Sequence, residues 1–273
     1  MDQRTLEIRG TGVDVAYEDD GAGAAVLLLH GQPGAAVTWR HVAERLGGRA
    51  RVVAPDRPGY GATGGRARGI EENADVALAL LDALGIERAV LVGHSWGGGV
   101  ALAAALRAPE RVAGLVLVAS VGPRSSVDRL DRLLVLPGLG PALTLGGFLA
   151  LPRLLPLPVV RRQLVRELGT LPRDSVDELV RQVRRRDWRS FVVEQRALVR
   201  EIDGLAARLP LVEAPAAVLT GALDFVLPPR VGRALAAELP RAELRVIPDA
   251  GHVMPVEAPD AVADAVLELA YGS

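Results

Sequence analysis

Short apolar runs and longer amphipathic stretches alternate along most of this chain. Six short, mainly apolar runs predict strands, at residues 25–29, 51–54, 89–92, 112–119, 216–220 and 244–247. The stretches between them predict helices, at residues 38–46, 70–84, 96–107, 230–239 and 258–270. This alternation is typical of parallel strands joined by helical crossovers. Two earlier runs, 5–9 and 13–18, alternate apolar and polar residues and predict an antiparallel pair at a sheet edge.

The alternation stops after Gly122 and resumes at about residue 210. The residues between them contain Pro-rich and Arg-rich helical pieces and no clear strand. We therefore predict one α/β domain, formed by residues 1–122 and 210–273, that a helical insertion at 123–209 interrupts.

One part of the insertion, residues 133–160, is almost uncharged, with Arg153 as the exception. Hydropathy alone would allow a membrane span of this length. Five prolines interrupt it, and each one removes a backbone hydrogen bond from a helix: Pro137, Pro141, Pro152, Pro156 and Pro158. We therefore expect an apolar lid over a pocket here and no stable membrane span.

Charge and composition exclude several kinds of chemistry. The 273 residues carry a formal net charge of −1 and include no lysine and no cysteine. A balanced charge gives no electrostatic footprint for nucleic acid. Without lysine or cysteine the chain has no Schiff base, no Ser-Lys dyad and no thiol nucleophile. The first twelve residues lack the apolar run of a secretory signal, so a cytoplasmic location is expected.

A glycine-flanked serine carries the strongest chemical signal, in Gly93-His94-Ser95-Trp96-Gly97. It follows the predicted strand 89–92 and opens the predicted helix 96–107. In this context the G-x-S-x-G pattern marks a sharp turn that lifts the serine oxygen above the sheet edge. We predict that Ser95 is a nucleophile; the structural alternative is a plain glycine turn between strand and helix.

Two residues late in the chain are the expected partners of Ser95. A serine hydroxyl needs a base, and His252 lies in a loop after the last predicted strand, as the order nucleophile, acid, base requires. His94 adjoins Ser95 in the chain, which is the wrong geometry for in-line proton transfer. Asp224, after strand 216–220, is predicted to orient His252. Asp249, three residues before His252, is the alternative acid.

Two backbone amides are the predicted oxyanion donors. Acyl transfer needs donors aimed at the oxygen that becomes negatively charged. At a turn of this kind one donor is the amide after the nucleophile, here that of Trp96. The other comes from the loop after an earlier strand. His30-Gly31-Gln32-Pro33-Gly34 follows strand 25–29 and points to the amide of Gln32, the alternative being an ordinary turn.

Together these motifs resemble the α/β-hydrolase superfamily, over nearly the whole chain outside the insertion. The resemblance is carried by His30-Gly31, Asp56-Arg57-Pro58-Gly59-Tyr60-Gly61, Gly93 to Gly98, Asp224 and Gly251-His252. It implies an α/β-hydrolase fold, in which helices flank a mostly parallel sheet. It also implies that the insertion is a helical cap over the active site. The motifs define the superfamily strongly and the substrate weakly.

Several subfamilies can be compared at individual residues. Epoxide hydrolases and haloalkane dehalogenases resemble this sequence around Ser95, but they have aspartate at that position. The serine here therefore argues against both chemistries. Meta-cleavage-product (C–C bond) hydrolases and cofactor-free haloperoxidases share the same triad and stay open. Prolyl iminopeptidases need acidic cap residues. The insertion has such residues, although amphipathic helix faces account for them more simply: Glu167, Asp174, Asp177, Glu178, Asp187 and Glu194.

The function predicted from the sequence is hydrolysis of a carboxylic ester or related acyl substrate through an acyl-enzyme. Ser95, His252 and Asp224 form the predicted triad, and Gln32 and Trp96 the oxyanion hole. No metal or organic cofactor is expected, because no ligand cluster or dinucleotide fingerprint occurs in the sequence. The expected partner is a small apolar ester or acyl substrate. A second copy of the chain, in a homo-oligomer, is a further candidate partner. A non-catalytic receptor on the same fold is the remote alternative.

Overall fold

A single sheet organises the computed structural model, which describes residues 3–8, 11–154, 157 and 187–272. Within these residues the sheet has eight strands: β1 (Gln3–Ile8), β2 (Val13–Asp20), β3 (Ala25–Leu29), β4 (Arg51–Pro55), β5 (Ala89–His94), β6 (Val112–Val118), β7 (Ala216–Gly221) and β8 (Ala242–Ile247). Their order across the sheet is β1-β2-β4-β3-β5-β6-β7-β8. Strand β2 runs antiparallel to its neighbours β1 and β4, and β3 to β8 run parallel to one another. The predicted α/β-hydrolase architecture is confirmed.

Helices connect the parallel strands, as the strand–helix alternation predicts. Those of the described residues are α1 (Arg40–Leu46), α2 (Ile70–Ala83), α3 (Trp96–Arg107), α4 (Arg129–Leu134), α5 (Leu139–Leu154), α6 (Asp187–Ala206), α7 (Pro229–Glu238), α8 (Met254–Glu257) and α9 (Pro259–Tyr271). The predicted ends agree to within two residues for most of them. The one-turn helix α8 has no counterpart in the prediction, because four residues are too few to establish a helical period.

The apolar strands divide the core into two clusters, one on each face of the sheet. Along β3, Leu27 and Leu29 belong to one cluster, and Val26 and Leu28 belong to the other. Successive side chains of a strand point to opposite faces, so this split requires a continuous apolar run. Helices α2 and α3 cover the first face, while Trp39 and helices α1 and α9 cover the second. β3 is therefore buried on both sides.

Between β6 and β7 the described residues form helices and no strand. Helices α4, α5 and α6 pack against one another, and α6 also contacts α2 and α3. Helix α5 runs through both Pro141, in its first turn, and Pro152, in its last. Proline is tolerated in the first turn of a helix, so Pro141 interrupts this stretch less than the sequence led us to expect, whereas Pro152 removes one backbone hydrogen bond from the last turn. Pro156 and Pro158 lie outside the described residues.

Helix α5 leaves apolar side chains in solvent: Leu139, Leu143 and Leu149 are 47%, 44% and 37% exposed. Among the described helices, however, none combines the length and hydropathy that crossing a membrane requires.

Candidate active site

Ser95 stands on a strained turn between β5 and α3. Its φ of 52° and ψ of −120° lie in a region that residues with a Cβ rarely adopt. Hydrogen bonds to the last residue of β6 and to the backbone just beyond it hold the turn: the Ser95 amide donates to the Val118 carbonyl at 2.9 Å, and the Ser95 carbonyl accepts from the Val121 amide at 3.1 Å. The turn projects the serine side chain beyond the carboxyl end of β5, as G-x-S-x-G predicts.

Close backbone contacts explain the glycines around this turn. A Cβ on Gly97 would collide with the carbonyl oxygens of Leu29 and His30, and one on Gly93 would collide with the backbone of Gly98. The motif therefore lets β5, α3 and the end of β3 approach more closely than any residue with a side chain permits.

The structure brings together the three residues that the sequence predicted as a triad. The Ser95 hydroxyl lies 3.0 Å from Nε2 of His252, and Nδ1 of His252 lies 2.9 Å from Oδ2 of Asp224. The other carboxylate oxygen of Asp224 accepts from the amides of Val226 and Leu227, at 2.8 and 2.9 Å. With Nδ1 donating to Asp224, Nε2 is free to accept a proton from Ser95.

Burial separates the two candidate acids. The Asp224 side chain is fully buried, whereas Asp249 is exposed. Asp224, and not Asp249, accepts the hydrogen bond of the His252 ring. A buried carboxylate beside the imidazole can stabilise the positive charge that His252 acquires when it takes a proton.

His94 supports the loop that carries His252. Its Nε2 donates to the backbone carbonyl of His252 at 2.8 Å. Burial, together with the charge of His252, lowers the pKa of His94 to about 3. His94 is therefore neutral at neutral pH, and its hydrogen bond fixes the backbone position of His252.

Glu257 also holds the His252 loop, and the sequence reasoning missed it. Its Oε2 accepts from the Gly251 amide at 2.6 Å, one residue before His252. Burial raises the pKa of Glu257 to about 7, against the opposing effects of the Gly251 hydrogen bond and His252. The residue lies at the end of the unpredicted helix α8, and no motif of the sequence singled it out.

Replacing Glu257 by glutamine should change how stability depends on pH. The native pKa of about 7 lies above the ordinary value of 4.5. Between these values the native state holds more protons than the unfolded state, so the contribution of Glu257 to the free energy of unfolding falls as pH rises. Glutamine does not titrate. The Tm of Glu257→Gln minus that of the wild type should therefore increase from pH 4.5 to pH 7.

Calorimetric Tm values at half-unit pH steps from 4 to 8 test this expectation, with the exposed Glu110→Gln as the matched control. A constant Tm difference for Glu257→Gln across the window would mean that Glu257 titrates alike in the native and unfolded states.

The predicted oxyanion residues flank Ser95. Trp96 is the first residue of α3, and the loop of Gln32 follows β3. That loop touches the nucleophile, since a Cβ on Gly31 would lie 3.1 Å from the Cβ of Ser95. Within the described part of the chain, no group accepts a hydrogen bond from the backbone amide of Gln32 or Trp96. Two unpaired amides next to a nucleophile can bind a developing negative charge.

A buried arginine supports the loop that carries Gln32. Arg57 donates from Nε to the His30 carbonyl and from a terminal nitrogen to the Gly31 carbonyl, both at 2.9 Å. Its guanidinium stacks 4.4 Å from the centre of the Trp96 ring. The preceding Asp56 accepts from the amides of two loops, at Ala36 and Ala62. Both residues brace the site rather than point into it.

The counter-charge of Arg57 is Glu194 of α6. The Glu194 carboxylate is completely buried, pairs with Arg57 and accepts from the Tyr60 hydroxyl at 2.7 Å. Burial raises its pKa, which Arg57 opposes. An exposed amphipathic face does not account for Glu194, so that interpretation is wrong for this residue. Asp187 is buried as well, and Glu167, Asp174, Asp177 and Glu178 lie outside the described residues.

No cluster of three or more histidine, aspartate or glutamate side chains suited to a metal ion occurs among the described residues. The features of the site are instead the hydrogen-bonded chain of Ser95, His252 and Asp224 and the two amides beside it.

A comparison with known families identifies the fold. A sequence profile described as "alpha/beta hydrolase fold" matches residues 24–259. The chain belongs to the α/β-hydrolase family. This α/β hydrolase is 36% identical to a 2-hydroxymuconate semialdehyde hydrolase of Pseudomonas sp. (strain CF600), over 92% of the chain and 88% of that protein.

Solved α/β hydrolases have the same architecture. A thermophilic esterase from Thermogutta terrifontis matches with a TM-score of 0.76 and 27% identity, covering 98% of this α/β hydrolase and 97% of the esterase. The meta-cleavage product hydrolase CumD matches with a TM-score of 0.74 and 29% identity, covering 97% of each chain. The relatives therefore include both ester-cleaving and C–C-cleaving enzymes.

Proposed function

We propose that this α/β hydrolase is a serine hydrolase that forms an acyl-enzyme on Ser95. The observation that carries the proposal is the unbroken hydrogen-bonded chain from Ser95 through His252 to Asp224. The three residues follow β5, β8 and β7, so they meet at the carboxyl edge of the parallel strands, where ligands bind in open α/β sheets. Family membership supports a hydrolase, and the geometry supports the serine mechanism.

In the proposed reaction, His252 takes the hydroxyl proton as Ser95 attacks the carbonyl carbon. The amides of Trp96 and Gln32 bind the oxyanion of the tetrahedral intermediate. His252 then gives its proton to the leaving group, and the acyl-enzyme forms. A water molecule, deprotonated by His252, attacks the acyl carbon. The bond between this carbon and the Ser95 oxygen then breaks, the serine oxygen takes the proton back from His252, and the acid leaves. Asp224 keeps the imidazole in the tautomer that both steps need.

A carboxylic ester or related acyl compound is the first proposed substrate class. The thermophilic esterase among the solved relatives supports it. Hydrolysis of a C–C bond in a vinylogous diketone is the second. The 36% identity to 2-hydroxymuconate semialdehyde hydrolase favours it, and the same nucleophile and oxyanion site could serve it.

Two measurements test these proposals. A fluorophosphonate should label wild-type Ser95 covalently; a wild type that stays unlabelled would support the non-catalytic alternative. Turnover of p-nitrophenyl esters of graded length, beside a 2-hydroxy-6-oxodienoate, would then separate the substrate classes. A larger kcat/KM for the dienoate than for every ester would replace the first class by the second.

We further propose that the insertion acts as a cap whose apolar residues contact the acyl chain. Phe148 of α5 packs edge-on against Phe191 of α6, with 6.0 Å between ring centres. Beside it, α5 leaves three leucines substantially exposed, as described above. Soluble proteins rarely expose contiguous apolar surface without a ligand or partner to cover it.

Phe148→Ser and Leu145→Ser should therefore impair long-chain esters selectively. Burial of an apolar side chain by substrate contributes about 1.5–3 kcal/mol, or roughly tenfold to a hundredfold in kcat/KM. We expect such a loss for p-nitrophenyl octanoate and less than about a threefold loss for the acetate.

Leu211 is highly exposed, so Leu211→Ser is the matched control for the loss of one apolar side chain. Equal losses for octanoate and acetate that follow a fall in Tm would show that α5 is structural.

A further inference from the structure

Helix α6 directs two consecutive side chains into the protein near the proposed oxyanion hole. Glu194 is 0% exposed and Gln195 is 2% exposed. Neighbouring helical residues point in directions about 100° apart, so the two side chains face different surroundings. Each needs its own hydrogen-bond partner, because an unpaired buried polar group is costly.

The partner of Glu194 reaches both sides of the oxyanion hole. Arg57 pairs with Glu194 and donates to the carbonyls of His30 and Gly31, which directly precede Gln32. The same guanidinium stacks on the ring of Trp96. One buried cation thus contacts the loop that carries one oxyanion donor and the residue that carries the other.

The partner of Gln195 is Gln32 itself. Gln195 donates from Nε2 to a carboxylate oxygen of Asp131 in α4, at 2.7 Å. A carboxylate accepts hydrogen bonds, so Gln195 must turn its amide oxygen the other way. That oxygen accepts from Nε2 of Gln32 at 2.8 Å. The side chain of Gln32 is therefore held from the insertion by a chain of two directed hydrogen bonds.

We propose that Glu194 and Gln195 are positioning residues that hold the backbone amides of Gln32 and Trp96 in place for the oxyanion. This inference rests on the proposed function. Neither side chain contacts the reacting atoms; Glu194 acts through Arg57, and Gln195 acts through Gln32. Donors that drift from the oxyanion position stabilise the transition state less, while contacts to the ground-state acyl chain persist. Loss of either residue should therefore lower kcat more than it changes KM.

The chain offers a matched control on the same helix. Glu201 lies seven residues after Glu194, two turns along the same face of α6. It accepts from the amides of Ile70 and Glu71 at the start of α2, at 2.8 and 3.4 Å. Glu201→Gln therefore disturbs a contact between α6 and the sheet domain that includes no residue of the oxyanion loop.

The experiment compares Glu194→Gln, Gln195→Leu and Glu201→Gln with the wild type. It measures kcat and KM for p-nitrophenyl butyrate, Tm, and the Ki of a trifluoromethyl ketone, whose hemiketal oxygen occupies the oxyanion hole. For the first two variants we expect kcat to fall about tenfold to a hundredfold, KM to change less than about threefold, and Ki to rise in parallel with the loss of kcat. Glu201→Gln should keep kcat within about twofold.

Three results would overturn the inference. They are an unchanged kcat in Glu194→Gln and Gln195→Leu, a rise in KM alone in these variants, or an equal loss of kcat in Glu201→Gln that follows its fall in Tm. If Glu194→Gln does not fold, because Arg57 is then buried without its counter-charge, Gln195→Leu decides, since it removes no charge. Fluorophosphonate labelling of wild-type Ser95 tests the proposed function separately. An unlabelled wild type contradicts both proposals, whereas a labelled wild type with unaffected variants contradicts only this one.

Discussion

Replacing Ser95 by alanine is expected to abolish turnover and leave the fold intact. Without the hydroxyl no acyl-enzyme can form, and loss of a triad nucleophile typically costs on the order of a millionfold in kcat. Alanine also has a Cβ, so it meets the same φ of 52° as serine and adds no new backbone strain. The measurements are kcat with the best ester or dienoate substrate, fluorophosphonate labelling, and Tm.

Ser120→Ala is the matched control for this variant. Ser120 is buried, follows β6 near the same edge of the sheet, and donates to the Val121 carbonyl, but it belongs to no part of the proposed triad. It should remain active and labelled. A Ser95→Ala protein that retained more than about a thousandth of wild-type kcat would contradict the nucleophile assignment, because solvent and the oxyanion hole alone supply far less.

His252 is expected to be the base whose protonation sets the acidic limb of the pH–rate profile. A base accepts the serine proton only when it is neutral, so kcat/KM should fall toward acid pH as His252 takes up a proton. His252→Ala should lose activity nearly as completely as Ser95→Ala, since the triad acts as a unit. The measurement is kcat/KM from pH 4.5 to 9 for the wild type and for each variant that retains activity.

Titration of two neighbouring residues, Glu257 and His94, could produce a similar acidic limb, and a separate variant controls for each. Glu257 has a pKa raised to about 7 by burial and accepts a hydrogen bond from the His252 loop, so Glu257→Gln separates its titration from the protonation of His252. His94 has a pKa lowered to about 3, so it stays neutral over the assay range, and His94→Asn should keep the limb. If Glu257→Gln lost the acidic limb while remaining active, the limb would belong to Glu257. An inactive His94→Asn beside an active His252→Ala would contradict the base assignment.

The sequence alone determined the parallel sheet and the turn at Ser95. Strands buried on both faces need continuous apolar runs, and each run consists of a few consecutive residues, so its pattern is visible without the fold. The G-x-S-x-G turn is similarly local, because the strained φ of Ser95 and the close approach of Gly93 to Gly98 arise within one strand–turn–helix unit. The order of Ser95, Asp224 and His252 along the chain then limited the possible partners.

The tertiary structure alone decided which distant groups pair. Glu194 binds Arg57 across 137 residues of sequence, and nothing near either residue indicates that a glutamate on an otherwise amphipathic helix will be fully buried. Periodicity indicates which residues can face the core, but the partner of a buried charge depends on which distant segment of the chain packs against it. The contact of Glu257 with Gly251 spans only six residues, but no motif of the sequence marks it. The sequence favoured Asp224 over Asp249 as the acid, whereas the hydrogen bond from His252 to Asp224 depends on loops that meet only when β7 and β8 pair.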